Sequence, residues 1–185
     1  MKQLIKVAMP LAAIVLLASC GNNGNSETKQ QKDTAQHEGH DMSSSNNSTG
    51  KLSLKDDKLN AVYQHYVHLT TALINGDATE AKTASLAIEA GLKDVPGGES
   101  VAAQAARIME ADDIEKQRAA YSLLSNDFIT LAKKAGVSGG ELYVDYCPMA
   151  LNDKGAYWMS ANKEIRNPYF GEKMMNCGEV KETIK

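Results

Sequence analysis

Residues 59–77 read LNAVYQHYVHLTTALINGD, and this stretch predicts the class of the folded domain. Its mostly apolar positions recur every three or four residues, which is the spacing of one face of an α-helix. They are Leu59, Val62, Tyr63, Tyr66, Leu69, Thr70 and Leu73. We therefore expect an amphipathic helix over residues 56–74. Asn75-Gly76 ends it, because glycine readily adopts the left-handed conformation found after a helix.

Further helical segments follow this helix. Asp77 with Glu80 predicts the capped start of a second helix, which ends at Val95-Pro96-Gly97-Gly98. Residues 100–109 predict a short alanine-rich helix, and Asp112 with Glu115 predicts the start of a last, long helix. The connections are short, which favours antiparallel neighbours.

The C-terminal part has a different pattern. Residues 142–147 alternate with the period of a strand, residues 156–160 predict a second strand, and residues 172–177 predict a short helix. The whole sequence thus predicts a mainly α fold. We expect one antiparallel helical bundle over residues 51–185, with a small C-terminal cap of strands and loops.

The N-terminal residues 1–20 predict an export signal. Lys2 and Lys6 precede an apolar run that is too short for a comfortable membrane span. Leu17-Ala18-Ser19-Cys20-Gly21 resembles the lipobox of bacterial lipoproteins, in which the cysteine is diacylated. We expect Cys20 to anchor the chain to membrane lipid, facing the periplasm in the cell envelope, where disulfides form. The alternative is an ordinary cleaved secretory signal with an incidental cysteine.

Residues 21–50 predict a flexible tether, because they are polar and have almost nothing to bury. His37, His40 and Met42 lie within six residues, together with two carboxylates. This set suits weak capture of a transition metal such as Cu(II) or Ni(II). A polar tether with histidines placed by chance explains it equally well.

Charge and motifs exclude several classes of function. The chain has 20 basic and 23 acidic side chains, which argues against nucleic acid as a partner. It has no Cys-x-x-Cys pair, nucleophile elbow, phosphate-binding loop or zinc-protease motif, so we expect no enzyme. His65 and His68 are spaced to share an ion on one helix, although two solvated histidines explain them more simply.

Sulfur is concentrated in the C-terminal 40 residues. Candidate ligands there are Cys147, Met149, Met159, Met174, Met175 and Cys177. Thiolate and thioether groups favour a soft ion, which predicts Cu(I) as the cofactor. In the alternative, the two cysteines form a disulfide in the oxidising envelope, and the methionines fill the core.

The same segment contains several motifs that resemble those of a known family. Its motifs are Tyr146-Cys147-Pro148-Met149, Trp158-Met159-Ser160, Ile165-Arg166-Asn167-Pro168-Tyr169-Phe170-Gly171, Met174 and Cys177-Gly178. Together with the first helix, they resemble a bacterial envelope family known as domain of unknown function 3347, over roughly residues 55–180. Members of that family are lipoproteins or are fused to periplasmic adaptors of heavy-metal efflux pumps, which implies a copper or heavy-metal context. The Cys-Pro-Met piece also resembles a metal-binding Cys-Pro-Met-His motif, but Ala150 replaces the histidine.

These observations predict a lipid-anchored copper-binding protein of the envelope. It would sequester the ion or deliver it to heavy-metal efflux, with an efflux adaptor or pump as its protein partner. The competing hypothesis is a docking lipoprotein that binds no metal and holds a Cys147–Cys177 disulfide.

Overall fold

A computed structural model of the chain describes residues 51–185. The predictions for the signal over residues 1–20 with Cys20, and for the tether over residues 21–50 with His37, His40 and Met42, lie outside these residues. Within the described part, no helix is both long enough and apolar enough to cross a membrane.

Four helices make up about half of the described chain. They are α1 (Asp57–Asn75), α2 (Ala78–Gly91), α3 (Glu99–Glu110) and α4 (Ile114–Ala135). Each helix packs against the next one along the chain, and α4 also contacts α1. Together with two short helical segments, at Ala150–Asp153 and Gly171–Met174, they make more than half of residues 51–185 helical, so the predicted mainly α class is confirmed.

The start of α2 only partly follows the predicted capping pattern. The Asp77 carboxylate accepts hydrogen bonds from the backbone N–H groups of Thr79 and Glu80, as a helix cap does. The Glu80 side chain does not complete a capping box, because it binds His68 on α1, with 2.7 Å between its Oε1 and the His68 Nε2.

The predicted cap of α4 is off by one residue. Asp113 accepts the hydrogen bond from the Lys116 N–H at 2.8 Å, whereas the neighbouring Asp112 forms an exposed ion pair with the Lys116 ammonium group. Glu115 instead accepts a hydrogen bond from Arg118. Asp112 and Asp113 both fit the sequence pattern of a helix cap, but only Asp113 makes the capping hydrogen bond in the structure.

The strands form two small antiparallel sheets. A two-stranded sheet pairs β1 (Ser53–Leu54) with β2 (Val137–Gly139). In the other sheet, β3 (Leu142–Cys147) lies between β4 (Ala156–Ser160) and β5 (Glu179–Ile184). The predicted strands 142–147 and 156–160 are present, but β1, β2 and β5 were not predicted. In place of the helix predicted over residues 172–177, the chain forms one 3₁₀ turn at Gly171–Met174.

Tyrosine hydroxyls connect α1 and the loop after β4 to the free edge of β4. The backbone N–H of Met159 donates to the Tyr66 hydroxyl at 2.9 Å, and the Tyr169 hydroxyl donates to the carbonyl of Tyr157 at 2.6 Å. The Tyr66 hydroxyl also contacts the hydroxyls of Ser125 and Tyr121, each at 2.8 Å. Two backbone groups that an edge strand would leave open, the Met159 N–H and the Tyr157 carbonyl, are therefore satisfied inside the protein.

A buried arginine joins three parts of the chain. The Arg118 side chain donates to the carbonyl oxygens of Pro168 and Leu73, each at 2.9 Å, and to the Glu115 carboxylate at 2.8 Å. Gly171 lies against it with φ of 55°, and a Cβ atom there would lie 2.6 Å from the carbonyl oxygen of Ile74. This contact fixes the C-terminal loop against the end of α1.

Candidate metal centre

The structure brings together the two cysteines of the C-terminal segment. Cys147 is the last residue of β3 and is fully buried, whereas Cys177 is partly exposed just before β5. Their sulfur atoms are 2.8 Å apart. The chain thus returns over 30 positions to place two thiols side by side, an arrangement that suits a disulfide or two ligands of one ion.

A turn of unusual handedness holds the Cys147 side of the pair. Cys147 pairs with Ala156 across the ladder, so the chain must reverse within eight residues. Leu151, Asn152 and Asp153 make this reversal with φ angles of 55°, 59° and 62°. Each costs about 1–2 kcal/mol relative to the right-handed conformation. Contacts made by the residues on either side of the turn must therefore compensate for this conformational free energy.

Asn167 holds the Cys177 side of the pair. Its side-chain amide donates to the carbonyl oxygen of Cys177 at 2.6 Å, and its backbone N–H donates to that of Met175 at 2.7 Å. Its side-chain oxygen accepts from the Tyr169 N–H at 2.7 Å. In the sequence, Asn167 stood out only as part of the motif that resembles the family, whereas the structure shows that it positions the cysteine.

Trp158 packs beside the same segment. A Cβ atom on Gly178, the residue after Cys177, would lie 2.8 Å from the indole ring and 3.0 Å from the carbonyl oxygen of Tyr146. Position 178 also has φ of 142°. Glycine is therefore needed where the chain passes between the indole and β3, which brings Cys177 close to Cys147.

The four candidate methionines differ in their relation to the sulfur pair. Met149 is two residues after Cys147, with 46% of its surface exposed, and Met174 and Met175 are half-buried just before Cys177. Met159 is buried and pairs with Val144 in the ladder. Because neighbouring residues of a strand point to opposite faces, the Met159 side chain lies on the other face of the sheet from Cys147.

The thiols interact with each other electrostatically. The hydrogen bond with Cys147 is the largest cause that raises the pKa of Cys177, to about 11, and loss of solvent contact adds to it. Cys177 therefore keeps its proton at neutral pH when no ion is bound. A metal ion that uses this sulfur must displace the proton, so its apparent affinity rises with pH.

An acidic group near the pair was not identified from the sequence as a functional candidate. Asp145 is fully buried in the middle of β3, and within residues 51–185 neither of its carboxylate oxygens has a hydrogen-bond partner. Burial raises its pKa to about 7. The feature of the sequence that could have identified Asp145 is its position at the centre of a predicted strand whose other residues are mostly apolar.

Histidine and carboxylate ligands do not cluster in the described part of the chain. Residues 51–185 contain no group of three or more His, Cys, Asp or Glu residues arranged to hold a metal ion. His65 is exposed, and His68 is exposed and bound to Glu80. In this part of the protein, the candidate metal centre is the pair of cysteines, and the nearest thioethers along the chain are its candidate additional ligands.

The described chain is thus a mainly α domain with two adjacent thiols, one at the end of β3 and one just before β5. The family described as "Protein of unknown function (DUF3347)" matches residues 62–140, from α1 to the loop after β2. Residues 62–140 therefore match the family that the sequence motifs resemble, and the resemblance is confirmed over these residues. The match ends before Cys147. No curated protein and no solved structure matches the chain.

Proposed function

We propose that the protein is a lipid-anchored component of the cell envelope that binds one Cu(I) ion through Cys147 and Cys177. The observation that carries this proposal is the 2.8 Å separation of the two sulfur atoms. Thiolates are soft ligands and suit a soft ion such as Cu(I). The role is binding, either for sequestration or for delivery to heavy-metal efflux, and involves no catalysis.

Capture of the ion requires a small movement of the thiols. Metal–sulfur bonds of about 2.3 Å, as zinc forms, hold two sulfur atoms roughly 4 Å apart. The pair must therefore open by about 1 Å. The partly exposed Cys177 is the side from which solvent reaches the pair, and Met149, Met174 and Met175 are the nearest thioethers along the chain. Met159 is omitted from this ligand set because it faces away.

The rest of the chain supports this role. The lipid on Cys20 and the tether over residues 21–50 would hold the domain near the membrane, within reach of an efflux adaptor or pump. His37, His40 and Met42 in the tether would provide weak secondary capture. The four helices would act as an antiparallel bundle, with the C-terminal sheet as a cap that presents the sulfur pair.

An anaerobic competition titration tests the metal site. The reduced full-length chain should take one Cu(I) from a chromogenic chelator. Cys147→Ser and Cys177→Ser should each weaken this binding at least a hundredfold, and Met149→Leu or Met174→Leu should weaken it less. Met159→Leu is the matched control and should bind as the wild type does. If both serine variants compete as well as the wild type, the site is elsewhere.

The competing function is a docking lipoprotein with a Cys147–Cys177 disulfide. The same sulfur separation supports it, and the complete burial of Cys147 is typical of a structural cysteine. A disulfide closing this loop would stabilise the domain by about 3–4 kcal/mol. Thiol counting on protein isolated from the envelope under acid quench separates the two. Two blocked thiols together with no Cu(I) uptake after reduction would favour the docking role.

The lipid anchor has its own test. Cells fed a labelled fatty acid should incorporate the label into the wild-type chain and not into Cys20→Ser. Labelling that survives this substitution would show that Cys20 is not the modified residue, and it would leave the metal proposal to be judged on the titration alone.

A further inference from the structure

The two sulfur atoms of the candidate metal centre differ in their access to solvent. Cys147 is fully buried and belongs to the hydrophobic core, whereas Cys177 is partly exposed and packs against that core. Asn176, the residue before Cys177, is exposed as well. A molecule that approaches from solvent therefore meets the Cys177 sulfur, and it reaches the Cys147 sulfur only when the core opens.

The backbone is held in place on both sides of the sulfur pair. The Cys177 N–H donates to the carbonyl oxygen of Met174 at 3.1 Å, and the Cys177 carbonyl oxygen accepts from the Asn167 amide at 2.6 Å. Cys147 pairs with Ala156 at the end of β3. A disulfide bond is about 2.05 Å long, so sulfur atoms 2.8 Å apart must approach by about 0.8 Å to form one. Rotation of the side chains is enough for this movement, so these backbone contacts stay in place in both redox states.

Adjacent thiols that form and break a disulfide are the basis of thiol–disulfide exchange. Proteins with this chemistry often carry the two cysteines as Cys-x-x-Cys, which this sequence lacks. Here the fold brings together two cysteines that are 30 positions apart. The tertiary structure thus builds a pair that a short motif builds locally in other proteins.

We infer that Cys147 and Cys177 form a reversible disulfide, that a thiol of another molecule opens it by attack on Cys177, and that this opening creates the Cu(I) site. Creation of the Cu(I) site rests on the function proposed above, whereas the exchange itself does not. This reversible disulfide differs from that of the competing docking role, which is purely structural.

The exchange takes two steps. In the first, the thiolate of the reductant attacks the Cys177 sulfur and forms a mixed disulfide with it. The bond to Cys147 breaks, and its electron pair stays on the Cys147 sulfur, which takes up a proton. In the second, another thiolate attacks the sulfur of the reductant in the mixed disulfide, and Cys177 leaves and is protonated. Two thiols of the reductant are thus oxidised to one disulfide, and the protein disulfide is reduced to two thiols.

Peptide mapping of the mixed disulfide tests the exchange. The full-length chain is oxidised to the Cys147–Cys177 disulfide, exposed to excess glutathione and quenched with acid, and free thiols are blocked. Trypsin cleaves after Lys154 and Lys173, so the two cysteines lie in different peptides. We expect glutathione on Cys177 at least tenfold more often than on Cys147. In urea, where both sulfur atoms are exposed, the two should carry it about equally.

Single-cysteine variants give a stable product of the reverse reaction. Cys147→Ser incubated with glutathione disulfide should retain glutathione on Cys177, because no neighbouring thiol remains to displace it. Cys177→Ser should acquire glutathione on Cys147 at least tenfold more slowly, because that sulfur is buried. Circular dichroism checks that both variants fold, and the mapping of the wild type does not depend on either of them.

Copper uptake is measured separately with the chromogenic chelator. The oxidised wild type should bind Cu(I) at least a hundredfold more weakly than the reduced wild type, because neither sulfur of a disulfide is a thiolate. Treatment of the oxidised chain with dithiothreitol, followed by removal of the reagent, should restore binding.

Two results would overturn the exchange. They are equal amounts of glutathione on the two cysteines of the folded chain, and a disulfide that excess glutathione does not open. Equal Cu(I) affinity of the oxidised and reduced chains would overturn the coupling to copper. Exchange at Cys177 in a chain that takes up no Cu(I) when reduced would reject the function proposed above and, with it, the coupling to copper, while it would support the exchange.

Discussion

The side-chain amide of Asn167 donates a hydrogen bond to the backbone carbonyl of Cys177, with 2.6 Å between the two atoms. Asn167 is fully buried and lies ten positions before the cysteine that it holds. Its side-chain oxygen accepts from the N–H groups of Tyr169 and Phe170, so both ends of the amide are occupied. The position of Cys177 therefore depends on a residue that does not touch its sulfur.

Asn167→Ala should destabilise the domain and expose the second thiol. The substitution leaves a buried carbonyl and two N–H groups without their partner, so we expect a loss of about 3 kcal/mol in the free energy of unfolding. Urea denaturation measures this loss, and the labelling rate of Cys177 by a thiol reagent should rise. Asn176→Ala is the control, because that side chain is exposed and forms no hydrogen bond in the described structure. Equal effects of the two substitutions would contradict this role.

Gly171→Ala should cost more stability than Gly76→Ala. Both glycines have positive φ, 55° and 71°, so each substitution costs about 1 kcal/mol of backbone conformation. At Gly76 a Cβ atom meets nothing within 4 Å, whereas at Gly171 it meets the Ile74 carbonyl oxygen at 2.6 Å and the Arg118 guanidinium at 2.9 Å. We expect a total loss of about 3 kcal/mol at Gly171 by urea denaturation. Similar losses at the two positions would show that the contact with Ile74 relaxes easily.

Tyr66→Phe and Tyr63→Phe should differ although the residues are both buried on α1. The Tyr66 hydroxyl bonds to Ser125, Tyr121 and the Met159 N–H, and its removal should cost about 2 kcal/mol. The Tyr63 hydroxyl has no hydrogen-bond partner within residues 51–185, so its removal should be neutral or stabilising. Thermal and urea unfolding of both variants measure the contrast, and an equal loss in both would contradict the network.

Asp145 should make stability fall with rising pH in the reduced, metal-free protein. Burial raises the pKa of this carboxyl to about 7 in the folded chain, against about 3.9 when unfolded. The folded state therefore holds the proton more tightly. Its contribution to stability is full below about pH 4 and is lost as the pH rises through about 7, by up to about 4 kcal/mol.

Asp145→Asn tests this pH dependence, because the amide does not titrate. Urea denaturation between pH 4 and 8 should show the wild type losing stability relative to the variant as the pH rises. Parallel curves for the two proteins would show that the Asp145 carboxyl has an ordinary pKa.

The helices could be predicted from the sequence because their signals are local. The stripe from Leu59 to Leu73 predicted residues 56–74, and α1 spans Asp57–Asn75. Gly76, with its left-handed conformation, ends the helix as expected. Caps are less certain, as Asp112 and Asp113 show, because identical side chains at adjacent positions carry the same local preference.

The sheets and the interior of the site could not be predicted to the same extent. β5 pairs with β3 across more than 30 residues, and its sequence, EVKETI, is mostly polar and largely exposed. Strand formation depends on such distant neighbours more than on intrinsic preference. The sequence identified Cys147 and Cys177, but not Asn167 as the residue that holds one of them, nor the burial of Asp145.

The closure of β4 by tyrosine hydroxyls also bears on self-association. An open edge strand is a template for pairing with another chain, which leads to aggregation. Tyr66 and Tyr169 bond the Met159 N–H and the Tyr157 carbonyl on the β4 edge, and β5, at the opposite edge, carries Glu179, Lys181 and Glu182. Hydrogen bonds at one edge and charged side chains at the other thus both disfavour pairing of this sheet with the sheet of another copy.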